Sequence, residues 1–220
     1  MVPPMKSLLV LSATIAFATL TGCGSGSPSS EPAKTHESHG GHGGRVLTEP
    51  AAASAEPSER LHELMMRPMA DMTVTGNVDK DFATMMGDHH QQAVDMVDAY
   101  LPHAKNPDLR QMAEAMRTEQ AAEIARLRDL AAKETPGQMS ESSSKLHALM
   151  MRPMERMQTT GDVDRDFALL MAEHHQGAIE MAKIELEQGM NADIKAMAQQ
   201  MIDSQTIERD RLLSLVGQRP

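Results

Sequence analysis

Aromatic side chains are scarce in this sequence of 220 residues: it has no Trp, one Tyr and three Phe. Phe17 lies in the leading segment, which leaves Phe82, Phe167 and Tyr100 for a folded part. A core without aromatic bulk must be built from Met, Leu and Ala, and 21 Met make such a core pliable. Cysteine is limited to Cys23, so no disulfide forms within the chain. Basic residues are outnumbered, 21 Lys and Arg against 31 Asp and Glu, for a formal charge of −10. That balance argues against nucleic acid or anionic lipid as a partner and suits the attraction of cations. No run shows the strict alternation of a half-buried strand, and β-branched residues are sparse. No nucleophile elbow, phosphate loop or zinc-protease motif is present, and no Ser/His/Asp arrangement can be read from spacing. The chain is therefore not expected to be an enzyme.

What is there begins with an export signal. Lys6 gives a weak positive start, and the apolar stretch from Leu8 to Leu20 is too short to span a bilayer permanently. It ends in Leu20-Thr21-Gly22-Cys23, which looks like the lipobox of bacterial lipoproteins. Residues 1–22 are thus expected to be removed, and Cys23 to be acylated. An ordinary secretory peptide with an incidental Cys is the plainer alternative. Residues 23–57 are Gly, Ser, Pro, Ala, Glu and His, and are expected to form a disordered tether from the membrane. His36, His39 and His42 recur in it among glycines, either as a loose chelator or as part of a merely polar linker. The expected location is extracytoplasmic, lipid-anchored to a bacterial membrane.

Residues 58–217 contain an internal repeat at an offset of 85. His89-His90 returns as His174-His175, Asp81-Phe82-Ala83 as Asp166-Phe167-Ala168, Met86 as Met171, and Met96 as Met181. Leu61-His62-x-Leu-Met-Met-Arg-Pro-Met69 returns as Leu146-His147-x-Leu-Met-Met-Arg-Pro-Met154. The units span about 58–134 and 143–217. Two copies rich in imidazole and thioether suggest a protein that handles a soft metal ion.

Each copy reads as a short helix followed by two long ones. Ser58 is the expected N-cap of a helix through about Met72, which Pro68 interrupts or bends. Thr75-Gly76-Asn77 is a turn, and a second helix runs from about Asp79 to His103. A third starts at Asn106-Pro107-Asp108 and runs to about Lys133. The second helix carries Phe82, Met86, His89, Ala93, Met96, Val97 and Tyr100 on one stripe. The third carries Leu109, Met112, Ala113, Met116, Gln120, Glu123, Leu127 and Leu130. The expected fold is all-α, a four-helix bundle of two tandem repeats, each with an extra short Met-rich helix. The repeats should superpose through an approximate two-fold.

The repeated Asp-Phe-Ala, the phrase His174-His175-Gln176-Gly177-Ala178-Ile179-Glu180-Met181-Ala182 and the later Gln205-x-x-Glu208 carry a resemblance. On these motifs the chain resembles the bacterial secreted family known as domain of unknown function 305. The first copy departs from the pattern with Gln92 where the second has Gly177. The resemblance implies a ferritin-like helical bundle. Characterised relatives include periplasmic copper-binding proteins that help cells tolerate copper.

The candidate metal ligands fall in two groups. His89, His90, Met86 and Met96, with His174, His175, Met171 and Met181, stand at spacings of four and seven that let an imidazole and a thioether reach one ion. Thioethers favour Cu(I), and imidazole also accepts Cu(II). His89 and His174 lie mid-stripe, with His90 and His175 on the flank. His62, Met66 and Met69, with His147, Met151 and Met154, form the second group. Its plainer reading is an apolar face that docks the short helix. Gln120, Glu123, Gln205 and Glu208 are polar residues on apolar stripes, expected to orient the histidine rings. The same contacts would also suit histidines that only organise a core. A di-iron oxidase is disfavoured, because neither long helix of a copy contains Glu-x-x-His. The expected function is sequestration or delivery of copper, as Cu(I) or Cu(II), with a copper-handling protein as the partner that delivery implies. The alternatives are an all-α structural or interaction lipoprotein, and a ferritin-like redox enzyme.

Overall fold

The computed structural model describes residues 56–67, 73–151 and 158–217. It contains α1 (Pro57–Met66), α2 (Val78–Tyr100), α3 (Pro107–Lys133), α4 (Glu141–Met150), α5 (Val163–Gln188) and α6 (Ala192–Leu215). Among the described residues there is no strand, and no helix is long and apolar enough to cross a membrane.

Local chemistry sets the helix starts. Asn77, Ser140, Asp162, Asn106 and Asn191 each accept a backbone N–H of their own first turn through the side chain. A cap of this kind is worth about 1 kcal/mol. Ser58 does not act as a cap, contrary to the sequence reading. Pro57 takes the first helical position, because its missing N–H costs nothing there, and Glu56 becomes the capping residue without a side-chain bond. Ser58 is then carried into the buried first turn. α1 ends earlier than expected, with Arg67 extended (ψ 126°) as the residue before a proline must be. α2 ends at Tyr100, and Leu101–His103 tightens into a 3-10 turn around Pro102, which has no N–H to continue the α-helix.

The repeated Asp-Phe-Ala motif has a structural explanation. Asp81 accepts the N–H and hydroxyl of Thr75 and the N–H of Gly76, and Asp166 does the same for Thr160 and Gly161. Each Asp thereby ties the turn that precedes its helix. Gly76 has φ +83°, and a Cβ there would lie 2.4 Å from the carbonyl carbon of Gln138, so a side chain is excluded twice over. Phe82 and Phe167 follow the aspartates into the core, where both are fully buried.

α2 and α3 form an antiparallel hairpin: Lys80 donates to Ala131 O and Glu134 O. α5 and α6 pair likewise, with Arg165 donating to Val216 O. α2 and α5 pack antiparallel on each other, and both ends of that pairing are fastened. Asp79 accepts the backbone N–H groups of Met190 and Asn191. Asp164 accepts those of Lys105 and Asn106, together with the Tyr100 hydroxyl at 2.7 Å. α1 and α4 each lie across both α2 and α5, and α3 touches α6. Gln92 donates to Leu64 O and Met65 O, which satisfies carbonyls at the end of α1.

The apolar core is Met, Leu and Ala with a stacked Tyr100–Phe167 pair (centroids 3.9 Å apart). It is not continuous. One cluster joins Ala93, Met96, Val97 and Tyr100 to Val163, Phe167 and Met171, with α1 against it. The other joins Phe82, Met85 and Met86 to Ala178, Met181 and Ala182, with Leu146 of α4 against it. Between them lie His89, His90, His174, His175, Gln120 and Gln205, all buried.

Candidate functional site

This polar layer sits halfway along α2 and α5. His89 and His174 face each other where the two helices meet, with ring centroids 3.6 Å apart and planes 35° apart. His174 donates from Nε2 to the backbone carbonyl of His89 at 2.9 Å. Burial holds both rings well below the ordinary imidazole pKa, and the neighbouring histidines add to this. Both are therefore neutral at physiological pH.

His90 and His175 stand on the flank of the stripe, and yet that flank is covered. Both are 0 % exposed, deeper than His89 and His174. The physical reason is that α2 and α5 are covered on more than one side. Adjacent residues point about 100° apart, so His89 is directed at α5 while His90 is directed at α3. His90 Nε2 meets Glu123 Oε2 at 2.8 Å, a good hydrogen bond. His175 Nε2 lies 3.0 Å from Glu208 Oε2, but the angle is poor, so the two groups touch without a hydrogen bond. Glu123 and Glu208 belong to the apolar stripes, and here they meet the histidines from the flanking helices.

Among the described residues no atom hydrogen-bonds to Nδ1 of His89, His90, His174 or His175, and all four nitrogens are buried. Neither amide atom of Gln120 is bonded, nor is Oε1 of Gln205. A buried polar atom left so costs about 1–3 kcal/mol. In His90 and His174 the pattern is specific: Nε2–H is engaged by an oxygen, so a neutral ring presents the lone pair of Nδ1. Met86, Met96, Met171 and Met181 are buried in the apolar clusters on either side of the layer. Among the described residues, no three His, Cys, Asp or Glu side chains converge on one point as a ready metal cage. The layer offers donors singly and in pairs.

The short helices look different. Leu61, Leu64 and Met65 face inward, His62 and His147 are half-buried, and Met66 and Met151 are 37 % and 52 % exposed. Met69 and Met154 lie outside the described residues, as do Cys23 and the histidines of the tether.

Three groups went unread in the sequence. Asp79 and Asp164 repeat at the offset of 85 but look like ordinary first-turn acids. Glu185 is fully buried at the place where the first copy has Tyr100. Burial, and then the charge of nearby Asp79, push its carboxyl up to about 9. It is therefore neutral beside Asp79, and neither of its oxygens has a hydrogen-bond partner among the described residues. Gly189 makes room for it, since a Cβ there would overlap the Glu185 carboxyl at 2.0 Å. Glu119 is the third, an exposed acid of α3 whose charge reaches the layer.

Fold and site together define an all-helical protein with a buried imidazole layer at the meeting of two antiparallel helices. The chain belongs to the family described as domain of unknown function (DUF305), whose profile matches residues 25–131 and 79–216. No curated protein and no solved structure matches it.

Proposed function

We propose that this protein is a membrane-tethered, extracytoplasmic metal-binding protein that sequesters copper or hands it on, without catalytic turnover. The observation that supports this is the set of buried Nδ1 atoms with no partner among the described residues. In metal sites a ligating histidine usually donates its other ring N–H to a carboxylate or a backbone carbonyl. His90 and His174 already do so, through Glu123 and His89 O. His89, His90, His174 and His175 would supply the nitrogen donors, and Met86, Met96, Met171 and Met181 the thioethers. That donor set is soft to borderline and suits Cu(I), with Cu(II) accepted by imidazole. The wider reading keeps the four long helices as a ferritin-like bundle of two tandem repeats, tethered through an acylated Cys23.

A second reading is favoured by a specific observation. No three-ligand cage exists among the described residues, as expected if the histidines only organise the core of an all-α lipoprotein. Copper titration separates the two. The parent carries His36→Ala, His39→Ala and His42→Ala, so that the tether cannot mask the result. Replacing His89, His90, His174 and His175 together by Ala is expected to abolish the tightest Cu(I) and Cu(II) binding while circular dichroism stays helical. Undiminished affinity in a folded variant would make the histidines structural. Emptying these core positions could cost several kcal/mol, so single His→Gln variants serve as a milder control.

A further inference from the structure

Glu119 is an exposed residue of α3, one turn before Glu123. Burial, and then the charges of Glu208 and Glu123, hold its carboxyl above the usual range, while His90 pulls it down. Glu119 and Glu123 stand on one face of α3 at a spacing of four, and α3 touches α6, which carries Glu208. Behind it, Glu123 and Glu208 are 19 % and 20 % exposed, and the imidazoles they contact are 0 % exposed. The acids and imidazoles form a descending series: exposed carboxylate, half-buried carboxylates, buried rings. His90 and His175 each direct Nε2 into this acidic group, and each keeps a buried Nδ1 without a partner among the described residues.

We infer that Glu119, with Glu123 and Glu208 behind it, is the port through which a hydrated divalent cation reaches the buried imidazoles. This rests on the metal-binding reading above and adds the route to it. Carboxylate oxygen is a hard donor and imidazole a borderline one, so the series exchanges the water of the ion for protein ligands in order of softness. Behind Glu119, Glu123 with His90 and Glu208 with His175 each offer a carboxylate and one ring, a pair that catches a cation without caging it. Converging acids at a low-dielectric opening also raise the local cation concentration and the rate of entry. Glu119 has no counterpart in the second copy, where Ser204 stands at the same offset. The port therefore has one outer acid.

The test is the rate of Cu(II) uptake at low ionic strength, followed by stopped-flow absorption of the imidazole–copper band, in the chain whose tether histidines are Ala. Glu119→Gln is expected to slow uptake several-fold and Glu119→Lys about tenfold, with Glu119→Asp close to the parent. Added salt should shrink these differences. The amount of copper held at equilibrium should be unchanged, since Glu119 is not placed among the ligands. Equal rates in all variants, with a parent that binds copper, would overturn the port and leave the metal reading standing. A lower capacity in Glu119→Gln would also overturn it, by making Glu119 a ligand. A parent that takes up no copper would overturn both.

Discussion

At the scale of the residue, the neutral rings of His89 and His174 carry a consequence for pH. Their pKa values are depressed in the fold, chiefly by burial, so the unfolded chain binds protons more readily than the folded one. Stability from this source is complete above the ordinary value of about 6.5 and is lost as pH falls below it. The expected loss is about 1.4 kcal/mol per pH unit for each ring, read by denaturant titration between about pH 7 and 5. A flat profile would mean that the rings accept protons in place. The importance of these residues is legible in the sequence, because an imidazole pair repeated at a fixed offset is hard to miss. Their surroundings are not. A helical wheel shows one apolar stripe, whereas His90 is buried by α3 and not by α5. Which neighbour covers the flank is decided by tertiary packing, which a single helix cannot express.

At the scale of the element, the two ends of the α2–α5 pairing do the same job with different chemistry. Tyr100 donates to Asp164 at one end, and a protonated Glu185 stands beside Asp79 at the other without a hydrogen bond. Tyr100→Phe is expected to cost about 1–3 kcal/mol, since the half-buried Asp164 carboxylate loses a donor, as thermal unfolding would record. For Glu185 the sign follows from a raised pKa. Its proton is held more tightly in the fold, so its contribution is full below the ordinary carboxyl value and declines as pH rises through about 9. Glu185→Gln stays neutral at every pH. It should therefore be more stable than the parent at about pH 9, with the gap closing on acidification. An equal or larger gap at acid pH would contradict the assignment of Glu185 as a neutral group. The helices, Asn106 and the turn at Gly76 were legible from local rules of capping and backbone geometry. Asp79 and Glu185 were not, because their partners stand across the interface between copies, which the pattern within one helix does not show.

At the scale of the whole molecule, the layer divides one core into two apolar halves. Replacing His89 and His174 together by Leu would join them. Exchanging a partly satisfied polar pair for aliphatic surface is expected to leave the melting temperature equal or higher. If the layer also specifies the arrangement, the variant should show more than one set of methionine methyl resonances in NMR. A single sharp set would assign uniqueness to the apolar packing alone. The reason to expect otherwise lies in the seam itself. Methionine adapts to almost any neighbour, so α2 could slide along α5 by one turn, about 5.4 Å, and still meet thioether and aliphatic surface. Such a slip would break the bond from the His174 ring to the His89 carbonyl at mid-length, together with the ties of Asp79 and Asp164 at the two ends. The imidazoles are in this sense the middle index mark of a scale graduated otherwise only at its ends: they tell two compliant helices where to stop.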